Sequence, residues 1–440
     1  MPDLSINFAG IKSPNPFWLA SAPPANCGYQ VMKAFDEGWG GAVWKTLGVP
    51  VVNVSSRYGS VNYRNTRMHG FNNIELITDR PLEDNLKEIE EVKKHFPDHA
   101  IIASLMVETK EQWHQIIKDC ENAGADGFEL NFGCPHGMCE RGMGSAVSQE
   151  PDVLKTIVGW VMEAATKPVI TKLSPNISHI TDPGVAAIAG GTDALSLINT
   201  VKSIVGINLD NYAPYPEVDG KGTNGGYCGP AVKPIALHLL KDLAQHPETG
   251  KLPISGIGGI ESWRDVVEFI LLGASSVQVC TAVMHYGFGI VREMESGLVQ
   301  FMNDKGYNTI YDFVGKALPN VVEWQDLNLK HKVIAEINED KCIGCELCYI
   351  SCEDGAHQAI GLNEGSRVPY IIEENCVGCN LCSLVCPVED CITMKKVDDG
   401  TEQLTWSERT AAGDIPTTFN DERAGGRGHW VPEPTAALKK

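Results

Sequence analysis

Residues 100–132 read A-I-I-A-S-L-M-V-E-T-K-E-Q-W-H-Q-I-I-K-D-C-E-N-A-G-A-D-G-F-E-L-N-F. Two short apolar runs, AIIASLM and DGFELNF, flank TKEQWHQIIKDCENAGA, in which apolar residues recur at helical spacing. Strand, helix, strand is the alternation of a parallel sheet. The same pattern extends in both directions. FWLASA (from Phe17) and GAVWKTL (from Gly41) come before, with PLEDNLKEIEEVKKHF as a further helical stretch; PVITKLS (from Pro168), DALSLIN (from Asp193), LPISGIG (from Leu252) and SSVQVC (from Ser275) follow. Eight such runs predict eight parallel strands, and their number and length favour a closed (β/α)8 TIM barrel over an open doubly wound sheet.

Polar residues punctuate these runs: Ser21, Lys45, Ser104, Asn131, Lys172 and Asn199 sit at or near their ends, with Gly258 and Thr281 closing the last two. In a barrel those ends converge on the face where active sites are built. S-G-I-G-G-I (255–260) and Q-V-C-T-A (278–282) follow the seventh and eighth runs, where glycine lets backbone N–H groups approach a phosphate such as that of FMN. A tight turn is the plainer reading of the glycines. Lys172 and Lys45 would suit a flavin, since a cation near the pyrimidine end of the ring stabilises the charge of its reduced form; each could equally be a strand-end surface charge. Cys134, in E-L-N-F-G-C-P-H-G (129–137), lies just past the fourth run on a glycine-rich loop. A thiol with a pKa near 8.5 is neutral at pH 7 and can donate a proton to a carbanion-like carbon; the alternatives are a packed thiol or a turn constrained by Pro135. His136 receives no role. Asn73, Asn131, Asn199 and Thr200 donate and accept without ionising, which matches the alternating C=O and N–H edge of a pyrimidine imide.

Nine of the chain's 15 cysteines lie between Cys342 and Cys391. C-I-G-C-E-L-C-Y-I-S-C (342–352) is repeated 34 residues later as C-V-G-C-N-L-C-S-L-V-C-P (376–387). This spacing wraps three thiolates around one cubane and sends the fourth to its neighbour. Two 4Fe–4S clusters are expected, one held by Cys342, Cys345, Cys348 and Cys386, the other by Cys376, Cys379, Cys382 and Cys352. Structural zinc takes four ligands and would leave thiolates surplus. Glu353 stands where proline often follows the fourth cysteine, and Cys391 falls outside the pattern as a packed thiol. Clusters move single electrons and perform no substrate chemistry, so a second redox centre belongs upstream.

The formal charge of −20 makes nucleic acid or an anionic membrane a poor partner. The start lacks the basic-then-apolar profile of a secretory signal and no run of 18 apolar residues occurs, so a soluble, cytoplasmic protein is expected. The domain division expected is a barrel over 1–315, a linker over 316–334, a two-cluster ferredoxin domain over 335–400 and a polar, flexible tail over 401–440.

N-P-F-W-L-A-S-A, E-L-N-F-G-C-P-H-G-M, K-L-S-P-N-I, I-N-T and G-G-Y-C-G-P-A-V-K-P-I-A-L resemble the dihydropyrimidine dehydrogenase family, within the dihydroorotate dehydrogenase-like flavoprotein superfamily, over about residues 4–395. The resemblance implies reduction of uracil or thymine to the 5,6-dihydropyrimidine, with Cys134 as general acid or base and Asn73, Asn131, Asn199 and Thr200 on the pyrimidine. For FMN it implies Ser21, Lys45, Thr46, Lys172, Gly229, Gly258, Gly259, Cys280 and Thr281. It also implies a partner subunit of the PreT type that binds FAD and NADH or NADPH, because the chain shows no GxGxxG opening a βαβ unit; the assembly would be a hetero-oligomer, a heterotetramer. Electrons would pass from the partner's FAD through both clusters to FMN, hydride from FMN to C6 and a proton from Cys134 to C5. Gly133 and Cys228 stand where some relatives carry serine. The rival readings are dihydroorotate oxidation and an electron-carrier subunit with no substrate of its own.

Overall fold

A computed structural model of the chain describes residues 2–63, 65–134, 143–363, 365–397 and 405–413. Pro135, His136 and all but 405–413 of the 401–440 tail lie outside the described residues. The chain divides into two compact units, Met1–Val321 and Val322–Lys440.

In the first unit each of the eight apolar runs forms a strand: β1 (Phe17–Leu19), β2 (Gly41–Leu47), β3 (Ala100–Leu105), β4 (Gly127–Asn131), β5 (Val169–Lys172), β6 (Ala194–Leu197), β7 (Ile254–Ile257) and β8 (Ala274–Val279). They pair in parallel, in chain order, and β8 closes onto β1 through Val277 opposite Phe17. Parallel strands covered on both faces read as continuous apolar runs, and all seven residues of β2 and all six of β3 are buried. The helix Lys110–Asn122, opened by a Thr109/Gln112 capping box, buries Trp113, Ile116, Ile117 and Cys120. That stripe joins the barrel's core cluster.

Two features lie outside the strand count read from sequence. A hairpin, Ile6–Phe8 with Ile11–Ser13, packs on the barrel through Phe8, edge-on to Trp18 at 5.2 Å. A four-stranded antiparallel sheet is assembled from the long connections after β2 and β6: Tyr58–Tyr63, Thr66–Asn73, Gly225–Cys228 and Val201–Ser203. Residues 315–321 are tied to the barrel by Gly315 N–H to Ile270 O (2.9 Å) and Ala317 N–H to Leu271 O (2.9 Å).

In the second unit Val333–Ile337 pairs antiparallel with Ile392–Lys396, and Ile360–Leu362 with Pro369–Ile371. The helices Leu347–Gly355 and Leu381–Val385 occupy equivalent places in the two cysteine repeats. Positive φ recurs at Gly344 and Gly378 (64° and 71°) and at Glu346 and Asn380 (61° and 66°), so the sequence repeat is a backbone repeat too. Among the described residues no helix is long and apolar enough to cross a membrane.

Candidate active site

A cavity of about 1170 Å³, its open mouth included, lies at the C-terminal ends of the strands and is walled by the four-stranded sheet. Every barrel residue singled out above for catalysis, substrate or flavin, from Ser21 to Thr281, lines it. Residues scattered over 260 positions meet there because parallel strands all end on one face.

The polar groups are already oriented. Asn131 Nδ2 donates to Thr46 Oγ1 (2.9 Å), which also contacts Ser104 Oγ (2.9 Å) and Ser21 Oγ (3.1 Å). Asn199 Nδ2 donates to Asn131 Oδ1 (3.0 Å), and Asn199 Oδ1 accepts from Thr200 N–H (2.8 Å). Asn73 Nδ2 donates to Gly226 O (3.3 Å). Asn131 and Asn199 therefore keep a spare N–H each, and Asn73 keeps its carbonyl. A Cβ at Gly133 would fall 2.4 Å from Asn199 Cβ, so the serine of some relatives does not fit against Asn199 where it stands. At Gly259, φ is +74° and a Cβ would lie 2.9 Å from Gly229 O, a close approach of loops that only glycine permits.

Cys134 is buried, 9% exposed, among Ile77, Met106 and Met143, and its carbonyl accepts from Ser145 N–H at 2.9 Å. Both lysines are paired. Lys45 contacts the Glu75 carboxylate, their side chains 6% and 8% exposed, and Glu75 also accepts from Tyr58 and from Arg57 (3.4 Å). Burial, then Glu75, hold the Tyr58 hydroxyl well above its ordinary range. Lys172 Nζ lies 3.1 Å from Glu129 Oε1. Glu75 thus bolts the sheet (Tyr58) to the barrel (Lys45). Glu75→Ala strands a buried ammonium and is expected to destabilise the barrel by about 3–5 kcal/mol, read from chemical denaturation of the full chain.

Burial pushes the Cys228 thiol up to about 11, a hydrogen bond from Thr281 partly opposing it. Burial, then the neighbouring Cys228, raises Cys280 further. A raised folded-state pKa contributes stability that is complete below the unfolded value of 9.0 and is lost as pH climbs through about 11. Flavin-free chain is therefore expected to lose stability between those pH values, and Cys228→Ser to flatten that slope in urea titrations.

The second unit holds two smaller cavities. One, of about 360 Å³, is lined by Cys352, Cys376, Cys379 and Cys382; the other, about 330 Å³, by Cys342, Cys345, Cys348, Cys386 and Cys391. Backbone N–H groups point at the sulfurs: Ala359 to Cys352 (3.3 Å), Ala335 to Cys376 (3.5 Å) and Gly344 to Cys342 (3.5 Å). Cys391, 2% exposed, lies 3.6 Å from Asn338 O.

A model of the dihydroorotate dehydrogenase family matches residues 3–302, and a 4Fe-4S dicluster domain model matches residues 335–394. The chain belongs to the dihydroorotate dehydrogenase family. Within it, this dihydroorotate dehydrogenase-family chain is 46% identical over 396 residues to the NAD-dependent dihydropyrimidine dehydrogenase subunit PreA of Escherichia coli (strain K12), covering 90% of this chain and 96% of that one. It is 43% identical over 348 residues to the chloroplastic dihydropyrimidine dehydrogenase (NADP(+)) of Arabidopsis thaliana, covering 76% and 82%. Over 323 residues it is 36% identical to the dihydroorotate dehydrogenase B (NAD(+)) catalytic subunit of Thermococcus kodakarensis, covering 72% and 98%. A crystal structure of DHODH from Eimeria tenella in complex with ferulenol shares the fold, with a TM-score of 0.59 at 18% identity over 72% of this chain and 88% of that one. The family and the dicluster domain make this an iron–sulfur flavoprotein.

Sequence reading passed over Glu75, Glu129, Gln278 and Tyr58. For Glu129 and Gln278 there was a signal: each is a polar residue inside an apolar strand run, and Glu129 shares the face of Asn131 by strand alternation. For Glu75 and Tyr58 there was none, since both lie in a connection whose sheet forms only in three dimensions.

Proposed function

We propose that this chain reduces the 5,6 double bond of uracil or thymine. The observation that carries the reading is a buried thiol, Cys134, in one cavity with three oriented carboxamides. Asn131 and Asn199 offer N–H donors to ring carbonyls, Asn73 offers an acceptor to a ring N–H, and Thr200 completes the substrate wall. Both lysines of the cavity are neutralised by glutamates, so among the described residues it presents no uncompensated cation to a carboxylate. That favours a neutral pyrimidine over dihydroorotate.

FMN fits the remaining wall: Lys45 and Lys172, each paired with its glutamate, supply N–H donors, the close-packed Gly229, Gly258 and Gly259 give backbone access to a phosphate, Ser21, Thr46, Cys280 and Thr281 line the rest, and among the described residues the buried Gln278 Oε1 has no partner. The two cysteine cavities suit 4Fe–4S clusters, with Cys342, Cys345, Cys348 and Cys386 around one and Cys376, Cys379, Cys382 and Cys352 around the other. When bound, the clusters would relay single electrons from the FAD and NAD(P)H site of a PreT-type partner, and FMN would supply hydride to C6. Cys134 Sγ, seated among Ile77, Met106 and Met143, delivers the proton to C5. In this reading residues 1–315 are catalytic, 335–400 carry electrons, 316–334 link them, and the protein works in the cytoplasm as a hetero-oligomer.

The test is anaerobic. Dihydrouracil added to the purified full chain should bleach the flavin and yield uracil, and dihydroorotate should not. Bleaching by dihydroorotate alone would move the chain to the rival substrate; no response to either would leave an electron carrier.

A further inference from the structure

Inside the barrel, below the cavity, Glu129 is completely buried and accepts three hydrogen bonds: from Lys172 Nζ (3.1 Å), Ser196 Oγ (2.9 Å) and Gln278 Nε2 (2.8 Å). Gln278 is completely buried as well, and its Nε2 has a second acceptor in Ser255 Oγ (3.3 Å). Both amide protons are thereby used, and among the described residues Gln278 Oε1 is left buried with no partner. A buried acceptor without a donor costs free energy unless a ligand supplies one. Lys172 and Gln278 both line the cavity; Glu129 does not.

We propose that Glu129 is a positioning residue that builds a donor and acceptor pair, Lys172 Nζ and Gln278 Oε1, for the imide edge of a flavin. The carboxylate, acceptor only, draws the Gln278 N–H groups to itself and to Ser255 and leaves the amide oxygen for a ligand. It also holds Lys172 in place. The pair matches an edge on which a ring carbonyl accepts and the adjacent N3–H donates. The inference rests on the reading of the cavity as an FMN site, and FMN rebinding tests that reading separately.

The experiment strips flavin from the full chain and titrates it with FMN and with 3-methyl-FMN, which lacks the N3–H, following flavin fluorescence. The wild type should bind FMN about tenfold or more tightly over the methyl analogue. Glu129→Gln puts an NH2 beside Gln278, which relaxes by turning its oxygen inward. FMN should bind more weakly and the preference should fall to about one. A merely steric exclusion of the methyl group would survive this substitution, which opens no space. Should Glu129→Gln fail to fold, Gln278→Met removes the acceptor at similar length and should also abolish the preference. Equal binding of the two flavins by the wild type, or a wild-type preference in either variant, overturns the assignment. Failure of FMN itself to rebind overturns the cofactor reading beneath it.

Discussion

Replacing Cys134 with alanine is expected to slow uracil reduction by about 10²–10⁴-fold, the range of a positioned general acid, while flavin and iron content stay at wild-type levels. The side chain is small and buried among Ile77, Met106 and Met143, so removing its sulfur leaves an apolar wall that tolerates the loss. What disappears is, among the described residues of that wall, the one group with a proton to give. In the proposed mechanism, hydride arriving at C6 would leave C5 carbanion-like, and without the thiol that charge would have to wait for a proton from solvent. Single-turnover flavin oxidation by uracil isolates the step. Turnover retained in Cys134→Ala would take this residue out of the mechanism.

Replacing Cys352 with alanine should cut iron from about eight to about four atoms per chain. NAD(P)H-driven turnover with the partner should be lost, with flavin bleaching by dihydrouracil intact. Cys352 belongs to the first repeat by sequence and lines the cavity of the second repeat's Cys376, Cys379 and Cys382. Pairwise substitution exposes the crossing. Cys352→Ala with Cys376→Ala should lose no more iron than either alone, since one cluster is already gone; Cys352→Ala with Cys342→Ala should lose nearly all. The reverse pattern would show that each repeat closes its own cluster.

The eight strands were legible because burial on both faces leaves each a continuous apolar run, and the family resemblance named many, though not all, of the cavity's residues. Other features were not. The sheet over the mouth has half-exposed, polar strands such as Tyr58–Tyr63, and it pairs Asn73 with Gly226 across 153 positions. No local pattern encodes such a pairing. The asparagines read as three independent ligands, yet Asn199 donates to Asn131, and each keeps a spare N–H.

By itself the sequence determined what local chemistry dictates: a parallel barrel from the period of its apolar runs, and two clusters from cysteine spacing, because backbone geometry and iron coordination act over a few residues. Only the tertiary structure decided the charge of the site. Lys45 and Lys172 read as free cations in sequence, and each meets its glutamate, Glu75 or Glu129, across 30 and 43 positions. Coulomb energy depends on distance in space, and the fold is what brings those charges together.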